Sequence, residues 1–162
     1  MKIVINPFDP KSVSDAIKEL DRYKRWVQEK EKILRERLAQ IGVSIASMEF
    51  NQAVYNGTND VSVRIENNGS KATILAEGSA VLFIEFGSGD KYGHGHPDAG
   101  KFGYGPGTWS NGPSGKGHWD DPNGWYYAHG KRSFGNPPAM AMVHARDAIL
   151  EQFTAIAREV FR

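Results

Sequence analysis

The apolar positions in the first third of the chain recur every seven residues, at Val13, Leu20, Val27, Leu34 and Ile41. Ile17 and Leu38 form a second row, interrupted where Lys24 and Glu31 take its places. A stripe of this period with charges between predicts one long helix. Such a helix docks on its own domain or on a neighbouring subunit, the alternative being a two-stranded coiled coil. Ser12 followed three residues later by Asp15 predicts a capping-box start. Gly42 marks an end or a bend, and Ile41, Ile45, Met48 and Gln52 carry the helical spacing on to about Ala53.

After Tyr55-Asn56-Gly57 the period falls to two. Val61, Val63 and Ile65 alternate with polar residues, Asn67-Asn68-Gly69 supplies a turn, and Ala72, Ile74 and Ala76 follow. This predicts a β-hairpin. The apolar run from Ala80 to Phe86 fits a buried strand or a short helix equally, because periodicity does not separate the two. Gly124 to Ala128 reads as a further strand turning at His129-Gly130-Lys131. A last helix, expected to open near Pro137-Pro138, carries Met142, Ala145, Ile149, Phe153, Ile156 and Val160 on one face. The expected fold is α+β in a single domain over 1–162: a helical arm at 12–54, hairpin and strand at 60–86, an insertion at 87–137, and a C-terminal helix at 138–161 packed on a small, mainly antiparallel sheet.

Composition changes this picture in one place. Between Gly87 and Pro137 stand 14 of the 18 glycines, 3 of the 4 tryptophans, 4 of the 5 histidines and 5 of the 8 prolines. Glycine and proline at this density break regular structure, whereas disordered segments are poor in aromatics. The block therefore reads as an insertion that orders against a partner, such as another copy of the chain. Elsewhere composition mainly excludes. A length of 162 residues with 40% hydrophobic content suits one modest core, and a net charge of +1 carries no nucleic-acid or membrane signature. The basic run from Lys30 to Arg37 is interleaved with glutamates and reads as a solvated helix face. With no cysteine, disulfides, thiolate metal sites and a cysteine nucleophile are excluded. No apolar run approaches the roughly 18 residues of a membrane span, and the polar start MKIVINPFDP does not resemble a secretion signal. A soluble product of the cytosol is expected.

Candidate chemistry is confined to the insertion and its edge. His94 and His96 have the spacing that puts two imidazoles on one side of a strand, and Asp90, Asp98, His118, Asp120 and Asp121 offer further metal ligands. The competing reading is that these residues solvate a loop and cap its turns. Glycines 103, 105 and 107 lack the Lys-Ser/Thr ending of a phosphate-binding loop, and Ser88 lacks the context of a nucleophile elbow. Glu85, in an apolar run, is either a base raised by burial or a carboxylate bonded to backbone amides or an arginine. Tyr92, Phe102, Tyr104, Trp109, Trp119, Trp125, Tyr126 and Tyr127 would suit base stacking only in a positive groove. Here five lysines and arginines meet four aspartates. That balance favours a protein interface, for which Tyr92, Phe102, Tyr104, Trp109, Trp119, Trp125, Glu85 and Phe86 are the candidates. A carbohydrate platform built on the tryptophans is the other use.

Three segments carry a family resemblance: Tyr55-Asn56-Gly57-Thr58-Asn59-Asp60-Val61-Ser62-Val63, Phe83-Ile84-Glu85-Phe86-Gly87-Ser88-Gly89, and, beyond the Gly/His/Trp-rich insertion, Gly135-Asn136-Pro137-Pro138. Together they resemble a phage morphogenesis family, the minor tail or tail-completion proteins in the neck of tailed phages and prophages of Gram-positive bacteria. The family often has a second proline and an aromatic residue where this chain has Met140 and Ala141. None of these motifs is catalytic. The resemblance implies a structural, non-enzymatic virion protein without cofactor, acting as a ring of copies between head-closure proteins and the tail terminator or tube. It would reside in host cytoplasm during assembly and in the virion afterwards. Two alternatives from other classes are a metal-dependent hydrolase using His94, His96, Asp98 and His118, and a carbohydrate-binding module.

Overall fold

The structure, a computed structural model, describes residues 5–88, 95–98, 101, 125–126 and 132–162. The seven-residue stripe forms α1 (Pro10–Gln52), an unbroken helix of 43 residues and about 65 Å. It starts two residues before Ser12. Asp9 is the N-cap and its carboxylate accepts the Lys11 N–H at 3.0 Å, with Pro10 at the first helical position, where a missing N–H costs nothing. Ser12 Oγ instead accepts from the Asn6 N–H, and Asp15 pairs with Lys18.

Gly42 neither ends nor bends α1, because the position is needed for close packing. A Cβ there would press into Ile74 Cδ1 and lie 2.7 Å from Ile149 Cδ1. The hairpin and the last helix thus both press on α1 at one point. At the far end Asn59 closes the helix, its Nδ2 donating to the Phe50 carbonyl at 2.8 Å and its Oδ1 accepting the Val61 N–H.

The hairpin consists of β1 (Ser62–Asn67) and β2 (Ala72–Glu77), antiparallel with Val63 opposite Ala76 and Ile65 opposite Ile74. Arg35 ties its turn to α1 by donating to the Gly69 carbonyl. The ambiguous apolar run is helical, as α2 (Val81–Phe86). Its entry is held by Asp60, whose carboxylate accepts the Ser79 and Ala80 N–H groups and the Ser79 hydroxyl. Two short strands, β3 (Trp125–Tyr126) and β4 (Arg132–Ser133), pair antiparallel.

The last helix, α3 (Ala141–Val160), begins three residues after the proline pair. It runs antiparallel to α1, with His144 near Glu49, Ile149 at Gly42, Glu159 paired with Arg37 and Phe161 edge-on to Trp26. Its main support is α1 and not the sheet alone. Ala46 and Phe50 of α1, Ala80 and Ile84 at α2, and Ala141 and Ala145 of α3 form the buried core, with Val61, Val63 and Ala76 of the hairpin against it. Small residues on both long helices allow this close approach. No helix among the described residues is long and apolar enough to cross a membrane.

Candidate functional site

Two of the motif segments meet at the end of α2. Ser88 and Asn136 form an antiparallel bridge, Ser88 N–H donating to the Asn136 carbonyl at 2.9 Å and Asn136 N–H donating back at 3.2 Å. Their side chains are bonded as well, the Ser88 hydroxyl donating to Asn136 Oδ1. A helix end leaves carbonyls without partners, and here the returning chain supplies them. Asn136 Nδ2 donates to the Phe83 carbonyl at 2.8 Å, Ala139 N–H to that of Ile84 at 2.8 Å, and Met140 N–H to that of Glu85 at 3.2 Å.

Gly87 makes this approach possible. Its φ is 75°, and a Cβ would stand 2.7 Å from Pro138 N and 2.9 Å from the Asn136 carbonyl oxygen. Backbone atoms cannot swing aside as a side chain does, so only glycine fits. Pro137 and Pro138, expected to open the helix, lie instead in the extended segment wrapped around α2. Proline has no N–H to waste in such a segment and disfavours helix in the residue before it.

The start of α3 has no cap of its own. Met140, the N-cap residue, is left-handed at φ 53° and makes no side-chain capping bond. Glu85 takes that role from 57 positions away, its two carboxylate oxygens 3.0 and 3.2 Å from the Met142 N–H. A carboxylate at a helix N-terminus is favoured by the exposed amides and the helix dipole. Both Glu85 and its second partner, His96, are buried. His96 Nδ1 accepts the Asp98 N–H at 3.0 Å, which leaves Nε2 protonated to donate to Glu85 Oε1 at 3.1 Å. The imidazole thus donates to the Glu85 carboxyl oxygen, and its ring packs on Phe86 at 4.2 Å between centroids. Asp98 is held below the usual carboxylate range by its hydrogen bond to Lys101, with Arg146 of α3 adding to the effect.

Of the candidate interface residues, Glu85 and Phe86 are buried in these intramolecular contacts. Trp125 opens β3. Tyr92, Phe102, Tyr104, Trp109 and Trp119 lie outside the described residues, as do His94 and His118 of the metal reading. Glu85 does bond to a backbone amide, but its second partner is a histidine and not an arginine. His96 has both ring nitrogens engaged, so as arranged it has no lone pair for a metal. Among the described residues no group of three or more His, Asp or Glu is placed to hold one.

Asn59, Asp60 and Asn136 are not among the sequence candidates, and Ser88 is set aside as a nucleophile, although all lie inside the three motif segments. Each closes a chain end or turn. The signal available for Asn59 and Asp60 was Asn or Asp just before a strand, a position where these side chains cap backbone groups; Ser88 and Asn136 carry no such local signal. Comparison of the chain with protein-family models, with curated proteins and with solved structures finds no match.

Proposed function

We propose that this chain is a structural assembly protein of the phage neck or tail, completing the tail or joining it to the head through contacts among copies and with neighbouring neck proteins. The observation that carries the reading is the clasp at α2. The two motifs flanking the insertion spend their polar groups on each other, so the ends of the insertion leave from adjacent, fixed points. Glu85, His96 and Ser88, the side chains here with the chemistry of a base, a ligand or a nucleophile, are committed to bonds within the fold. A fixed base carrying an aromatic-rich segment suits recognition of a protein surface, where the few residues that dominate binding are enriched in Trp and Tyr.

Electron microscopy of particles from a source phage or prophage lacking this one gene tests the proposal. Separate filled heads and tails, rejoined when the protein is added back, are expected. Normally joined particles would refute it. Replacing Trp109 and Trp119 by alanine is expected to leave the domain folded and to abolish incorporation into particles.

A further inference from the structure

We propose that two copies of this chain pair through the N-terminal halves of α1, side by side and antiparallel. This goes beyond the neck reading and does not depend on it. α3 is 20 residues long, about 30 Å, less than half the length of α1. Its last turn meets α1 at Trp26. Before that point α1 continues for about four turns, and its apolar stripe continues with it. On a helix of 3.6 residues per turn, Ile17, Leu20 and Lys24 project in the same direction as Gly42 and Glu49, which face α3. Along this direction the stripe passes from the packed end of α1 to side chains that face solvent, while Ala16 beside it stays buried. Ile17 is 55% exposed, Leu20 51% and Val13 36%.

The sequence of this face says what would cover it. Val13, Ile17, Leu20, Lys24 and Val27 follow the alternating spacing of three and four residues that builds a helix-to-helix seam. Laid antiparallel against a second copy, Ile17 stands opposite the partner's Leu20, and Val13 opposite the aliphatic stem of the partner's Lys24, whose ammonium reaches water. At the flank Ser14 meets the partner's Asp21. Laid parallel, Lys24 would meet the partner's Lys24 inside the seam, and like charges there oppose pairing. Two heptads bury on the order of 1,000 Å², at the low end of specific interfaces. The pair is thus weak, exchanging with monomer at micromolar concentration.

Because the chain contains no cysteine, cross-linking tests this cleanly in the full-length protein. Val13→Cys mixed with Lys24→Cys is expected to give a disulfide dimer under mild oxidation, while neither variant alone does. In the antiparallel register a residue at position 13 and its counterpart lie about 16 Å apart along the axis, beyond the roughly 7 Å Cα limit of a disulfide. Sedimentation equilibrium of the unmodified chain should show monomer and dimer. Ile17→Glu with Leu20→Glu should weaken association about 100-fold with an unchanged thermal transition, since both side chains are solvent-exposed in the monomer. Cross-linking of Val13→Cys with itself would overturn the proposal in favour of a parallel pair. A chain that stays monomeric across the concentration range would overturn it altogether.

Discussion

The two halves of α1 have the same hydrophobic period and opposite fates. From Ala39 to Phe50 the helix is buried at Ala39, Gly42, Ala46 and Phe50, locked between the hairpin and α3. From Val13 to Leu20 the row Val13, Ile17 and Leu20 faces water, although Ala16 beside it is buried. A stripe of Leu, Ile and Val at helical spacing therefore reports that a face will be covered, but not by what. The difference lies in residue size. Where α1 is packed most closely it presents Ala39, Gly42 and Ala46, which permit close approach; its exposed row in the projecting half is Val13, Ile17 and Leu20, branched or bulky side chains suited to a looser seam.

Substitutions at matched depth should break this symmetry. The largest effect is expected for Phe50→Ala, which empties a core position only 1% exposed and should cost about 3–5 kcal/mol of stability in denaturant unfolding. Leu20→Ala in the projecting half should cost less than about 1 kcal/mol by the same measurement. If the two losses were equal, the projecting half would be part of the core.

Glu85→Ala should rank second. It strips the Met142 amide and His96 Nε2 of their buried acceptor, at about 3 kcal/mol. Glu85→Gln retains an acceptor oxygen and should lose roughly half as much. Hydrogen exchange localises the effect, since the first turn of α3 should lose protection before its last.

Asp60 gives a pH-dependent comparison between a buried and an exposed anchor. Hydrogen bonds from the Ser79 and Ala80 amides and the Ser79 hydroxyl hold its pKa at about 2, below the usual aspartate value. A carboxyl with a lowered folded-state pKa contributes stability above its unfolded pKa and loses it as pH falls through the folded value. The contribution should be complete at neutral pH and fade between about pH 4 and pH 2. Asp60→Asn should lower the melting temperature at pH 7 and flatten the acid side of its pH profile.

The smallest change is expected at Gly42→Ala. Helix propensity favours alanine by about 1 kcal/mol, while the new Cβ must displace the terminal methyls of Ile74 and Ile149, a cost of similar size. A net change within about 1 kcal/mol is expected. A loss well above that would mean that the isoleucines cannot yield and that this three-way contact is rigid.

Much of the fold was legible in the sequence because it rests on local periodicity. The long helix follows from Val13 to Ile41, the hairpin from the alternation around Asn67-Asn68-Gly69, and the last helix from Met142 to Val160. Its boundaries were less legible. Asp9 displaced Ser12 as the cap, and α3 began after Pro137-Pro138, because a distant strand-like segment claimed the prolines for the clasp.

The clasp itself was not legible as a site. Glu85, His96 and Asn136 acquire their roles only when chain segments tens of residues apart come together, and no spacing rule encodes that meeting. What the residues alone determined was which stretches would be helix and strand and which faces would be apolar. Tertiary structure decided that α3 lies along one half of α1, that the run ending at Phe86 is a helix, and that Glu85 caps a helix far along the chain. The physical reason is that secondary structure follows from neighbours in sequence, whereas the choice of what covers an apolar face, or which amide a buried carboxylate satisfies, follows from neighbours in space.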